Sequence, residues 1–70
     1  MSELMEIIVN GEPRRVPEDT TVAGLIEMLG LTGRRIAVEV NQEIIARDRH
    51  RTHTLGRGDR IEIVHAIGGG

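Results

Sequence analysis

The sequence predicts an α+β domain in which one helix covers one face of a mixed sheet of roughly four to five strands. Three observations predict it. Apolar and polar residues alternate over short runs near the start, the middle and the end of the chain, the period-two pattern of strands with one buried face. Between them, Val22, Leu25, Ile26 and Leu29 recur at i, i+3, i+4 and i+7, a single helical stripe. One stripe needs one apolar surface to cover, and a sheet supplies it.

In chain order, Leu4 to Val9 reads as a strand with Met5, Ile7 and Val9 on one face and Leu4, Glu6 and Ile8 on the other. Asn10-Gly11 is a two-residue hairpin signal, because a type I′ turn needs positive φ at both central positions. Glu12 to Val16 returns, and Pro13 places that strand at an edge. Pro17 to Thr21 is polar and turn-like. Thr20 or Thr21 can cap the helix, with Glu18 and Asp19 on the favourable side of its dipole. Met28 falls at the margin of the stripe, Gly30 suits the position after the helix, and Gly33 helps the chain turn back. Gly24 costs helix propensity, which points to a close packing contact.

Ile36, Val38 and Val40 then alternate with Ala37 and Glu39 in a third strand. Asn41-Gln42 turns it into a short fourth, Glu43 to Ile45. Arg47 to Leu55 is charged and irregular, a loop with a helical turn, and Gly56 to Asp59 leads into the last strand, Arg60 to Ile67. With the first and last strands as parallel central neighbours and the helix crossing over them, this order is that of the β-grasp, or ubiquitin-like, fold. Residues 1–67 make the domain and 68–70 a flexible glycine tail.

Composition narrows the function. Seventy residues allow one small domain. Cysteine is absent, which removes disulfides and thiolate metal sites, and with no Phe, Trp or Tyr the core must be aliphatic. A chain without aromatics and with net charge −2 is a poor nucleic-acid binder. The longest apolar run is far too short to span a membrane, and the first residues lack the basic and apolar regions of a signal peptide, so the expectation is a cytoplasmic protein. All nine basic residues are arginine. Codon bias explains that plainly; the functional alternative is that a chemically activated terminus is safer without lysine amines or cysteine thiols to attack it.

Gly68-Gly69-Gly70 has no side chains to pack. Taken alone it reads first as a frayed end. The alternative is a thread, roughly 10 Å long when extended, that can carry its carboxylate into a channel too narrow for any Cβ.

The segments Val38-Glu-Val-Asn41, Glu43-Ile-Ile45 with Arg47, Leu55, Gly58-Asp-Arg-Ile-Glu-Ile-Val64 and Ala66-Ile-Gly-Gly resemble the thiamine-biosynthesis sulfur carrier (ThiS) family. The resemblance covers essentially the whole chain, matches residues 10–35 only in pattern, and departs from the family by one extra glycine, Gly68. It implies a protein cosubstrate rather than an enzyme. The carboxylate of Gly70 would be adenylated by a ThiF-like adenylyltransferase using ATP. It would then be converted to a thiocarboxylate by a sulfur donor protein, and would deliver sulfur to a ThiG-like thiazole synthase. Gly68 and Gly69 would form the thread. The chain carries no phosphate-binding loop, so ATP belongs to the partner and no cofactor is expected on the chain itself. Other ubiquitin-like readings are the small subunit of molybdopterin synthase and a protein modifier. Partner recognition is expected on the sheet face opposite the helix, where Val64 and Ala66 point outward and, with Ile8, would form an apolar patch.

The remaining motifs have plainer readings. Arg57-Gly58-Asp59 is read as a turn rather than an adhesion signal. His50 and His53 have a spacing that could hold zinc on a helix, but with no third placed ligand they are read as exposed loop residues. His65 is read as a partly packed surface imidazole.

Overall fold

The computed structural model describes residues 3–65. Strand β1 (Leu4–Val9) pairs antiparallel with β2 (Glu12–Pro17) through the Asn10-Gly11 turn, whose φ values of 51° and 84° are both positive, as a type I′ turn requires. Helix α1 (Val22–Met28) follows, then β3 (Ile36–Val40), β4 (Glu43–Ile45), a 3₁₀ turn at Arg47–Arg49 and β5 (Arg60–His65). The five strands lie in the order β2-β1-β5-β3-β4, with β1 and β5 parallel and the other pairs antiparallel. The expected β-grasp arrangement is therefore present, with Pro13 on an edge strand.

Alternation decides what is buried. Met5, Ile7 and Val9 of β1, Val38 and Val40 of β3 and Ile61 and Ile63 of β5 face α1, which returns Val22, Leu25 and Ile26 to the same core. Leu29 packs partly against it and Met28 is half exposed.

A seven-residue helix is marginal by itself, and both its ends are capped. Thr21 is the cap: its Oγ1 accepts from Gly24 N at 3.1 Å. Val22 N donates to the His53 carbonyl (3.0 Å) and Ala23 N to that of His50 (2.8 Å), so each free N–H of the first turn has a partner. At the other end Gly30 (φ 72°) donates to Glu27 O and Leu31 N to Ile26 O, both at 3.0 Å, the paired bonds of a Schellman motif. Glu18 and Asp19 precede the Thr21 cap, on the N-terminal side of the helix. No acidic residue lies in the first turn, Glu18 pairs with Arg57, and Asp19 takes a left-handed conformation (φ 73°).

Gly24 also departs from expectation. A Cβ there would meet Thr20 Cγ2 and Thr21 Oγ1 at 3.5 Å, ordinary van der Waals separation, so no close approach requires glycine. Gly24→Ala should accordingly stabilise the domain by about 0.5–1 kcal/mol and raise the melting temperature by a few degrees. A lower melting temperature in a thermal scan would show that the helix cannot take the methyl.

The segment 47–55 is more ordered than its charge predicts, because its carbonyls cap α1 and Leu55 N donates back to Thr20 O at 2.9 Å. His50 is not an exposed loop residue. It is buried, with Nε2 donating to the carbonyl of Ile45 at 3.1 Å. Burial is tolerated because the carbonyl gives the ring N–H a hydrogen-bond partner. His53 is half exposed. Gly56–Asp59 forms the expected turn: Gly58 has φ 77°, Asp59 Oδ2 accepts from Gly56 N at 2.7 Å, and the Arg57 guanidinium reaches Glu18 and, at 3.9 Å, Glu3.

Candidate functional site

The site is the end of β5 and the sheet face it belongs to. β5 is the middle strand and is bonded on both edges. On one side it is antiparallel to β3, from Val40 opposite Ile61 to Ile36 opposite His65. On the other it is parallel to β1, where Ile8 N donates to Asp59 O and Asn10 N to Ile61 O, each at 2.9 Å. Beyond the end of β1 the ladder is continued by a side chain. Asn10 Oδ1 accepts from Ile63 N at 2.8 Å and Nδ2 donates to Ile63 O at 3.3 Å, so the amide replaces a strand residue. Asn41 plays a related part at the start of β5, accepting from Arg60 N and donating to Asp59 Oδ1, both at 3.0 Å. The chain that leads toward residue 70 thus starts from a root fixed up to His65.

Opposite α1, β5 presents Arg60, Glu62 and Val64. Val64 is 58% exposed and stands across from Ala37, while Glu62 stands across from Glu39, whose other neighbour is Ile44, 70% exposed. Two carboxylates directly opposed on a sheet repel and cost a few tenths of a kcal/mol, so this face has an anionic centre between apolar Val64 and Ile44. Ile8 lies on the same face, half-buried, but level with Arg60. Four residues of strand, roughly 13 Å, separate it from Val64. The structure therefore sets Val64 beside Ala37, not beside Ile8. Ile44, Ala37 and Glu39 join the face through the β3–β5 and β3–β4 registers, which alternation alone does not reveal. Ala66, Gly68, Gly69 and Gly70 lie outside the described residues. His65 is exposed. Among the described residues no cluster of His, Asp and Glu could hold a metal ion, and no helix is long and apolar enough to cross a membrane.

A fold of this kind, with its middle strand held on both edges up to His65, agrees with the family model that the sequence matches: the ThiS family, over residues 7–70. The chain belongs to the ThiS family. It is 38% identical over 63 residues to the sulfur carrier protein ThiS of Bacillus subtilis, covering 89% of this chain and 96% of that one. It is 41% identical over 66 residues to a thiazole synthase of Magnetococcus marinus, covering 94% of this chain and 20% of that protein. The chain thus spans about a fifth of the length of the thiazole synthases it matches. In three dimensions it resembles the crystal structure of the thiamine biosynthesis protein ThiS from Geobacter metallireducens, with a TM-score of 0.83 at 32% identity over 94% of this chain and all of the other.

Proposed function

We propose that the chain is a cytoplasmic sulfur carrier for thiamine biosynthesis that works through the carboxylate of Gly70. The observation that carries this reading is the extent of the family match, which spans residues 7–70 and takes in the glycine terminus.

An α-carboxylate is ionised at neutral pH and is a weak nucleophile and poor electrophile until activated. A ThiF-like adenylyltransferase supplies ATP; a carboxylate oxygen of Gly70 attacks the α-phosphorus and pyrophosphate leaves. Sulfide from a sulfur donor protein then attacks the acyl carbon, and AMP departs with the oxygen that joined it to the chain. The net change is one oxygen replaced by sulfur. The thiocarboxylate is the nucleophile offered to a thiazole synthase, a partner that the similarity to two thiazole synthases supports. The chain contributes position. Glycines without Cβ pass a narrow channel, and the root of β5 fixes where the thread begins.

The test is intact mass after incubation with the adenylating partner, ATP and a sulfur source. The chain should gain the difference between one sulfur and one oxygen atom, on its C-terminal peptide. No change in mass with an active partner refutes the reading. Val64→Asp, which adds a carboxylate next to the Glu39–Glu62 pair, should slow adenylation by at least about tenfold while leaving the melting temperature within a few degrees. Unchanged kinetics would remove Val64 from the docking face.

A further inference from the structure

The sequence holds two asparagines, Asn10 and Asn41, and the fold uses them alike. Each sits in a two-residue turn with positive φ, Asn10 at 51° before Gly11 at 84° and Asn41 at 53° before Gln42 at 71°. Each also reaches across to the last strand with its amide. Asn10 Oδ1 accepts from Ile63 N at 2.8 Å and its Nδ2 donates to Ile63 O at 3.3 Å; Asn41 accepts from Arg60 N and donates to Asp59 Oδ1. They differ in the residue that follows. A backbone nitrogen can attack the side-chain carbonyl carbon of the asparagine before it, and the side chain of its own residue obstructs that approach. Gly11 has no side chain, and open space surrounds the place where a Cβ would stand. Gln42 carries a full side chain.

We propose that Asn10 is a site of spontaneous deamidation, and that its conversion unfastens Ile63 from the end of β1. Gly11 N attacks Asn10 Cγ, the Cγ–Nδ2 bond breaks, and ammonia leaves with the proton that Gly11 N gave up. Water then opens the cyclic imide at either carbonyl. One opening gives aspartate; the other gives isoaspartate, in which the main chain runs through Cγ. The net step is a hydrolysis and consumes only water. In the aspartate product a carboxylate oxygen takes the place of Nδ2, so the bond to Ile63 O is lost and two acceptors face each other. In the isoaspartate product the main chain is one carbon longer inside a two-residue turn and the side chain one carbon shorter, so the carboxylate falls short of Ile63. The two bonds to Ile63 also protect the site. While they hold the amide it is not free to turn toward Gly11 N, so conversion proceeds through openings of the turn and is slower in the folded chain. The site is independent of the sulfur-carrier reading, and it acts on the strand that leads toward residue 70.

The experiment keeps the purified full chain in warm, mildly alkaline buffer, folded and in guanidinium chloride, and follows the masses of the chain and of its peptides. Replacement of an amino group by a hydroxyl should appear on the peptide that holds Asn10, roughly tenfold faster in denaturant than in buffer, and not on the peptide that holds Asn41. Gln42→Gly, which the positive φ at that position accommodates, should bring Asn41 to within about threefold of the Asn10 rate in denaturant. Asn10→Asp, which copies one product, should melt a few degrees below the wild type. Should it not fold, Asn10→Gly, which keeps the positive φ and removes both bonds, carries that measurement. A folded chain whose Asn10 is intact after about a hundred of the half-times found in denaturant overturns the site. So does conversion of Asn41 as fast as Asn10 in the wild type. Equal rates for the folded and unfolded chains, or a folded variant that melts with the wild type, overturn the link to Ile63.

Discussion

Deleting Gly70 should leave a chain that melts like the wild type and is no longer thiolated. The deletion keeps a terminal carboxylate but retracts it by one residue, roughly 3.3–3.6 Å. Attack on the α-phosphorus of ATP needs the reacting atoms within roughly 3–3.5 Å and in line, so a retraction of that size removes the productive geometry, and a loss of about a hundredfold or more is expected. Gly69→Val tests the same thread differently. The length is unchanged, but a β-branched side chain enters a passage that the three glycines are suited to. Both changes lie beyond Ile63, the last strand member of the core among the described residues. Intact mass and a thermal scan on each variant check both halves of the expectation. A truncated chain thiolated as fast as wild type would mean that the end of the chain is not what the partner activates.

The fold was largely legible because its signals are local. Asn10-Gly11, the alternation of β1, β3 and β5, and the stripe from Val22 to Leu29 each specify an element from neighbouring residues. What was not legible depends on register between distant segments. Asn10 reads as a turn residue, and nothing near it in sequence discloses that its amide pairs with Ile63, 53 residues away. The outward faces of Ile8 and Val64 follow from alternation, but their separation depends on which residue of β5 stands beside Ile8, and that is Arg60. His50 reads as exposed because its neighbours Arg47, Arg49 and Arg51 are; the carbonyl that draws the ring inward belongs to Ile45, at the end of β4.

Leu25→Ala should cost about 2–5 kcal/mol, a large loss of stability for a single truncation in this domain. Leu25 is fully buried at the middle of the helical stripe, facing the sheet, and removing its branched end leaves a cavity that the flanking Val22 and Ile26 cannot close. In a domain of this size a total stability near 5 kcal/mol is ordinary, so the variant stands close to the limit of folding. The loss should also spread in a defined way. Helix α1 holds the loop at 50–55 through the Val22–His53, Ala23–His50 and Leu55–Thr20 bonds, so weakening the helix releases these together. Amide hydrogen exchange should therefore rise in step across 22–29 and 50–55 rather than in the helix alone. Met28→Ala, one turn on but half exposed, should cost less than about 1 kcal/mol and serves as the control. Equal melting temperatures for Leu25→Ala and Met28→Ala would mean that the stripe does not face the sheet. Loss of protection confined to the helix would mean that the loop is held by something other than the carbonyl caps.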